Sequence, residues 1–285
     1  MIKDRKERRE LTRPREIHSS VGWQWVGALF DTTGSVDLGL RVSTYKENIY
    51  FNMVPRLALV DKDTSKLESL QNLYGGNING NKWSLGGETM IWILKNSRIY
   101  MPSRKPTVEK IMIWGRSIDM TSDNKTKKRD KEKAIEEFFT ERALALEKER
   151  FDDLDGCYDS LILFPGFTAG ALDGGASFRT KKKKGESKTY IHLELDSSNL
   201  PLLYAFQNKF GGSVEIVPKG TKGKIKGKEF ITKRDSGKWE LAHYDLIELL
   251  KFAGPHMFLK RDAVINCLIR AGIDPSTILG YNSRT

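Results

Sequence analysis

The period of the apolar positions changes several times along the chain, and each change marks an element. Trp23 to Phe30 is apolar almost all round, which predicts a short buried helix, with Gly34 suited to the turn that ends it. Val36 to Ser43 alternates, placing Val36, Leu38, Leu40 and Val42 on one face of a half-buried strand. Tyr50 to Leu59 reads as a second strand with a bulge near Pro55. A helix follows, capped by Asp61 or Asp63, with Leu67, Leu70 and Leu73 as its apolar face and Gly75–Gly76 at its end. Lys82 to Leu85 and Thr89 to Leu94 predict a hairpin turning near Gly86–Gly87, and Pro106 to Ile118 a further helix. The second half runs through the same series. Thr168 to Leu172 is a short apolar helix, a strand begins near Ser177, and Tyr190 to Leu195 alternates. The stretch from Asp196 to Val214 then matches the stretch from Asp61 to Ile78: a polar cap, an amphipathic helix, and a Gly-Gly pair. Trp239 in Lys-Trp-Glu-Leu answers Trp83 in Lys-Trp-Ser-Leu. Constant order with variable loop lengths is the mark of internal duplication.

Between the halves, residues 121–156 are highly charged with mixed signs, and opposite charges at i,i+4 such as Lys133 and Glu137 predict a loop followed by a linker helix. The organisation expected is a basic arm (1–19), a first repeat (20–120), a charged linker with a helix (121–159), a second repeat (160–274) and a tail (275–285). The two short apolar helices carry small residues on one side, Gly27 and Ala28 in the first and Gly170 and Ala171 in the second. Helices with such faces approach backbone to backbone, so these four residues are the candidate interface between the two lobes.

The two helical stretches, Val-Gly-Ala-Leu-Phe-Asp-Thr-Thr-Gly-Ser-Val (26–36) and Thr-Ala-Gly-Ala-Leu-Asp-Gly-Gly-Ala-Ser-Phe (168–178), resemble the LAGLIDADG motif of homing endonucleases and intron maturases. The resemblance implies an α+β fold of two pseudo-symmetric αββαββα repeats with saddle-shaped antiparallel sheets, a monomeric pseudo-dimer. In that family the motif ends Asp-x-Asp-Gly-Ser, and the acid before the final Gly holds the catalytic metal. Here Thr33 and Gly175 stand at that position, with Ala176 in place of the final Gly. Asp31 and Asp173 match the earlier acid, two residues upstream. Two residues along a helix is about 200° of rotation. Their carboxylates are therefore expected to point away from the metal side, into local hydrogen bonds. The family also places a basic residue after the sheet of each repeat, and Lys105 and Lys260 match it.

Charge sets the class of partner. The chain has 48 Lys and Arg against 37 Asp and Glu, a net charge of +11. That field favours a polyanion, and nucleic acid first. Two Lys-rich stretches fall on strand loops of the second repeat. One is Arg179 with Lys181, Lys182, Lys183 and Lys184; the other is a hairpin with Lys222, Lys224, Lys226 and Lys228. Both lie where the resembled family lays β-ribbons against nucleic acid, and the surface of the sheets is expected to be strongly basic. Two separated cysteines suit a reducing intracellular compartment, such as an organelle matrix or stroma or a microbial cytoplasm. No apolar run reaches the length of a membrane span, and no membrane partner is expected. The basic first residues carry acids and no apolar core, so no secretion or transit signal is expected. The four histidines lack the spacing of metal ligands in sequence.

These observations predict a nucleic-acid-binding protein of LAGLIDADG descent that has lost cleavage. RNA is favoured over DNA, as for a group I intron maturase or a ribonucleoprotein component with protein neighbours, and no cofactor is expected. The alternative is an active endonuclease cutting a long asymmetric DNA site, which would need Mg2+ and acids other than the aligned ones.

Overall fold

The structure is a computed structural model that describes residues 22–45, 48–117, 154, 156–182, 185, 187–225, 228–232 and 235–280. They fall into two compact units. One lies within Gly34–Asp153; the other combines the first helix, within His18–Thr33, with Leu154–Thr285. The linker helix expected in 121–156 falls outside the described residues.

In the first unit, β1 (Ser35–Tyr45) and β2 (Asn48–Val60) form an antiparallel ladder without interruption, Ser35 opposite Ala58 through Tyr45 opposite Asn48. There is no bulge at Pro55. Pro55 pairs with Leu38 just beyond the last residue that β2 shares with its other neighbour, Arg56 opposite Gly86. A residue that cannot donate is tolerated where one side of the strand is open. The first helix of this unit, α2 (Thr64–Tyr74), is capped by Asp63, whose carboxylate accepts from the Ser65 N–H. It buries Leu67, Leu70 and Tyr74; Leu73 is only partly covered. Strands β3 (Asn77–Asn79) and β4 (Lys82–Gly86) complete a sheet of order β1-β2-β4-β3.

The hairpin expected at Gly86–Gly87 is not formed. The real hairpin is β3–β4, turning at Gly80–Asn81 with Gly80 at φ 58°. Gly87–Ser97 is instead a helix, α3, burying Met90, Ile93 and Leu94. Their i, i+3, i+4 spacing is helical, and a short unbroken apolar run does not distinguish a strand from a buried helix. Helix α4 (Lys105–Ser117) follows.

The second unit repeats the plan. Helix α1 (Trp23–Thr32) packs with α5 (Pro165–Gly175). Then come β5 (Ala176–Lys182), β6 (Thr189–Ser197), α6 (Leu200–Phe210), β7 (Ser213–Val217), the hairpin β8 (Lys222–Ile225) with β9 (Lys228–Ile231), β10 (Ser236–Ala242), α7 (His243–Ala253), α8 (Arg261–Arg270) and α9 (Pro275–Leu279). The sheet order is β5-β6-β10-β7, the first sheet's order again, with β8–β9 inserted as a separate ribbon. Among the described residues no helix is long and apolar enough to cross a membrane.

The duplication reaches individual hydrogen bonds. The fully buried Trp83 and Trp239 each donate the indole N–H to the first carbonyl of a Gly-Gly pair, Gly75 and Gly211, both at 2.8 Å. The second glycine of each pair has positive φ, 89° at Gly76 and 83° at Gly212. A Cβ there would lie 2.6 Å from the Ser84 carbonyl or 2.2 Å from the Glu240 carbonyl. Both backbone angle and space demand glycine.

Candidate nucleic-acid interface and the foot of the helix pair

Helices α1 and α5 meet along glycines. Gly166, Gly170 and Gly174, one turn apart, face α1. A Cβ at Gly170 would lie 2.2 Å from the Trp25 carbonyl oxygen, and one at Gly174 would lie 2.4 Å from Thr32 Oγ1. Gly27, Ala28 and Ala171 are buried in the same two helices. Gly166 and Gly174 were not among the residues expected at this contact. Their spacing of four from Gly170 in Gly-Phe-Thr-Ala-Gly-Ala-Leu-Asp-Gly is the signal that finds them.

At the C-terminal foot of the pair, Thr33 and Gly175 are neighbours: a Cβ on Gly175 would stand 3.9 Å from the Thr33 methyl group and 2.7 Å from Leu195 Cδ1. The Thr33 hydroxyl donates to the Leu29 carbonyl at 3.1 Å. Nothing anionic comes from either position. Asp31 and Asp173 are both buried and engaged elsewhere. Asp31 accepts from the Tyr158 hydroxyl at 2.6 Å, and that hydroxyl accepts in turn from Asn199. Asp173 accepts from Trp25 Nε1 at 2.7 Å, the Phe258 N–H at 2.6 Å and the Lys260 N–H at 2.8 Å. Burial pushes the Asp173 carboxyl up, and the hydrogen bonds from Phe258, Trp25 and Lys260 oppose that rise. Both acids hold the fold together at this end, through partners more distant than the adjoining strand or turn.

Lys260 also serves this end. It caps α8, and its ammonium donates to the carbonyls of Leu172 at 3.3 Å, Gly174 at 3.1 Å and Ala176 at 2.5 Å. A cation on the last carbonyls of a helix satisfies groups that have no intrahelical partner and complements the dipole. In the first unit the corresponding bond comes from Arg104, whose Nη2 donates to the Gly34 carbonyl at 2.8 Å, while Lys105 is exposed. Arg104 therefore answers Lys260. It follows Trp83 by as many residues as Lys260 follows Trp239, a register the sequence contains.

The outer face of the second sheet, opposite the core side of Leu193, Leu195, Trp239 and Leu241, is mixed in charge rather than strongly basic. Arg179 pairs with Glu194 at 2.5 Å, and Lys181 lies 3.9 Å from the same carboxylate. Lys238 pairs with Glu240 at 2.6 Å and Glu215 at 3.3 Å, and these partners push its ammonium up to about 12. Burial, then the charge of Glu194, raise the Asp196 carboxyl. His192, Glu194 and Glu240 form a cluster whose ligand atoms lie within 4.8 Å of one another. Its carboxylates already face Arg179, Lys181 and Lys238, which opposes a bound cation there.

Cations without such acids lie off the face. Lys182 ends β5 exposed, and Lys222 begins the β8–β9 ribbon exposed. The ribbon expected from the Lys-rich stretch is formed, Lys222 opposite Ile231 through Ile225 opposite Lys228. Lys183, Lys184 and Lys226, and the side chains of Lys224 and Lys228, lie outside what the structure describes.

No protein-family model and no curated protein matches the sequence. Solved structures do match. The meganuclease I-SmaMI bound to uncleavable DNA superposes with a TM-score of 0.55 at 14% identity, over 92% of this chain and 95% of that one. The LAGLIDADG homing endonuclease I-GzeII in complex with its DNA target gives 0.50 at 14% identity, over 90% and 86%. The LAGLIDADG meganuclease I-CpaMI bound to uncleaved DNA gives 0.50 at 15% identity, over 90% and 92%. The chain has the LAGLIDADG homing-endonuclease fold. In that fold the α1–α5 pair corresponds to the motif-helix pair.

Proposed function

We propose that this protein binds a nucleic-acid duplex and does not cut it at the motif-helix foot. One observation carries the reading: Thr33 and Gly175 adjoin each other there, and neither carries a carboxylate. Asp31 and Asp173 are committed to Tyr158, Trp25 and the backbone of Phe258 and Lys260.

The residues at the foot do not fit a divalent metal. Magnesium takes hard, anionic oxygen ligands in near-octahedral geometry. Thr32 and Thr33 offer neutral hydroxyls there, and three nearby carbonyls already receive the Lys260 ammonium. Leu195 also crowds the space where an acid on residue 175 would project. The endonuclease reading would require Asp31 or Asp173 to abandon buried hydrogen bonds.

The net charge of +11 and the inserted ribbon support a polyanion as the ligand. I-SmaMI, I-GzeII and I-CpaMI were each solved with DNA, which favours duplex DNA as the first ligand to test. An RNA role as an intron maturase or ribonucleoprotein component rests on the missing acids, the splicing members of the resembled family and the lysine-rich loops. The test is to select bound sequences from mixed DNA and RNA pools, then incubate the selected ligand with protein and Mg2+ or Mn2+. Retained binding with intact ligand is expected. Specific cleavage by the unmodified protein would overturn the proposal and restore the endonuclease.

A further inference from the structure

We infer that a pocket at the junction of β6, β10 and α7 binds a single unstacked nucleotide, its base against tyrosine and its phosphate against lysine. The cavity has a volume of about 440 Å3, with Lys181, Tyr190, His243 and Tyr244 on its walls. That is within the range of small-ligand sites, ~300–1,000 Å3. It is distinct from the foot of the motif helices, and the inference rests on the proposed nucleic-acid binding for the source of the nucleotide.

Two chemistries on the walls suit a nucleotide, and one acid, Asp245, stands beside them. The first is aromatic. Tyr244 opens α7 and is 71% exposed, unusual for so large a ring. The buried His243 ring braces both tyrosines edge-on, 5.2 Å from Tyr190 and 5.0 Å from Tyr244. His243 is itself held, its Nδ1 accepting from the Ile191 N–H at 3.5 Å, which leaves the ring proton on Nε2. Burial, then the charge of Lys188, hold its pKa below the ordinary histidine value, so it stays neutral at pH 7.

The second chemistry is cationic. Lys188 Nζ lies 5.8 Å from the Tyr190 ring centre and 5.9 Å from that of Tyr244, and so stands between the two rings. Lys181 stands on the wall opposite Tyr190 in the strand ladder. Helix α7 begins here after Ala242, which supplies no side-chain cap, and Asp245 stands in its first turn on the pocket wall.

A flat π-face with cations beside it matches a nucleobase joined to a phosphate by one sugar. Aromatic platforms and cations are what proteins use to hold unstacked bases. A base in a regular duplex cannot reach such a pocket, so the ligand is an extruded or unpaired nucleotide. The pocket therefore gives a protein that does not cut its nucleic acid a way to recognise a distorted or single-stranded position.

The test is isothermal titration of the full chain with adenosine 5′-monophosphate, and with ribose 5-phosphate as the base-free control. Adenosine monophosphate is expected to bind about 5- to 150-fold more tightly than the control, the span of base–aromatic stacking. Tyr244→Ala should erase that difference, and Tyr244→Phe should retain it. Lys188→Gln should weaken both ligands. Equal binding of the two ligands, or a preference for adenosine monophosphate unchanged in Tyr244→Ala, overturns the pocket. A filter-binding assay with duplex DNA and RNA runs alongside. Duplex binding without a nucleotide site removes the pocket alone, whereas a nucleotide site in a chain that binds neither polymer removes the interface reading alone.

Discussion

The Trp25 indole reaches from one motif helix to the other and donates to the Asp173 carboxylate at 2.7 Å. Two backbone N–H groups, from Phe258 and Lys260, point at the same carboxylate. An amide at this position would turn one acceptor into a donor facing buried donors. Asp173→Asn is therefore expected to destabilise the protein by about 1–3 kcal/mol or more, the cost of stranding buried polar groups. Asp31→Asn should cost less at its Tyr158 contact, because the amide oxygen can still accept from that hydroxyl. Chemical denaturation of the two variants checks the order. Equal and negligible losses would mean that neither acid is structural.

Gly170 permits the closest approach in the helix pair, and the obstacle to any side chain there is the Trp25 backbone, which cannot rotate away. Gly170→Ala should lower stability by about 1–3 kcal/mol through overpacking. Gly22→Ala is the control for packing, since a Cβ there meets nothing closer than 4.0 Å. A Gly170→Ala protein that melts with the parent would show that the helices do not meet through this residue.

Lys260 and Lys105 match the same family position by sequence, and only Lys260 holds carbonyls at a helix end. Lys260→Met should cost about 1–2 kcal/mol, from a charge at a helix C-terminus and its hydrogen bonds. Lys105→Met should be nearly silent in stability, and Arg104→Met should behave like Lys260→Met because of its bond to Gly34. Thermal melts of the three variants distinguish this from an assignment of both lysines to phosphate contacts.

The repeat was legible because duplication copies side chains whose roles are local. The Gly-Gly pairs and the two tryptophans recur in order, and the fold uses them identically. The α3 helix is not legible in sequence because Met90, Ile93 and Leu94 sit in an apolar run too short to separate helix from strand. The small-residue face of the motif helices was legible, but the full stripe needed Gly166 and Gly174, which touch α1 only once the helices are aligned. The sheet face was least legible. Lysine runs stand out in sequence, whereas Glu194, Glu215 and Glu240 are scattered over three strands and meet Arg179, Lys181 and Lys238 only through strand pairing. The Asp173 partners lie far downstream and could not be read from helix rotation alone.

Acidification should weaken the second unit. His192 and His243 both have pKa values below the ordinary histidine value, each chiefly from burial, with Lys181 and Arg179 adding to the effect at His192 against the opposing Glu240 and Glu194. The unfolded chain then binds more protons than the folded one between the folded pKa and about 6.5. Their stabilising contribution is complete above that upper value and is lost as pH falls through the window. Melting temperature should fall from pH 7 to pH 5.5. The slope should be shallower in His192→Gln and His243→Gln, and a slope identical to the parent in both would remove these histidines as its source.

The inserted ribbon is expected to supply phosphate contacts that the sheet face does not. Lys238 is held by Glu240 and Glu215, so it has little charge to offer a polyanion without breaking a pair. Lys222 is exposed at the start of β8, Lys224 and Lys228 lie in the same paired strands, and Lys226 falls between them in sequence. Each phosphate neutralised by a lysine releases counterions and steepens the dependence of log K on log salt by about 0.9 for a duplex and 0.7 for a single strand. Neutralising the four ribbon lysines together should therefore weaken binding and flatten that dependence by the same increment for every phosphate left without its lysine. Lys238→Met should leave the slope unchanged. The experiment is a salt titration of binding, with duplex DNA and with RNA, for the parent and both variants. A slope that survives removal of the four lysines takes the ribbon out of the interface. A slope that falls in Lys238→Met shows that the acids on the sheet face release their partner when nucleic acid arrives.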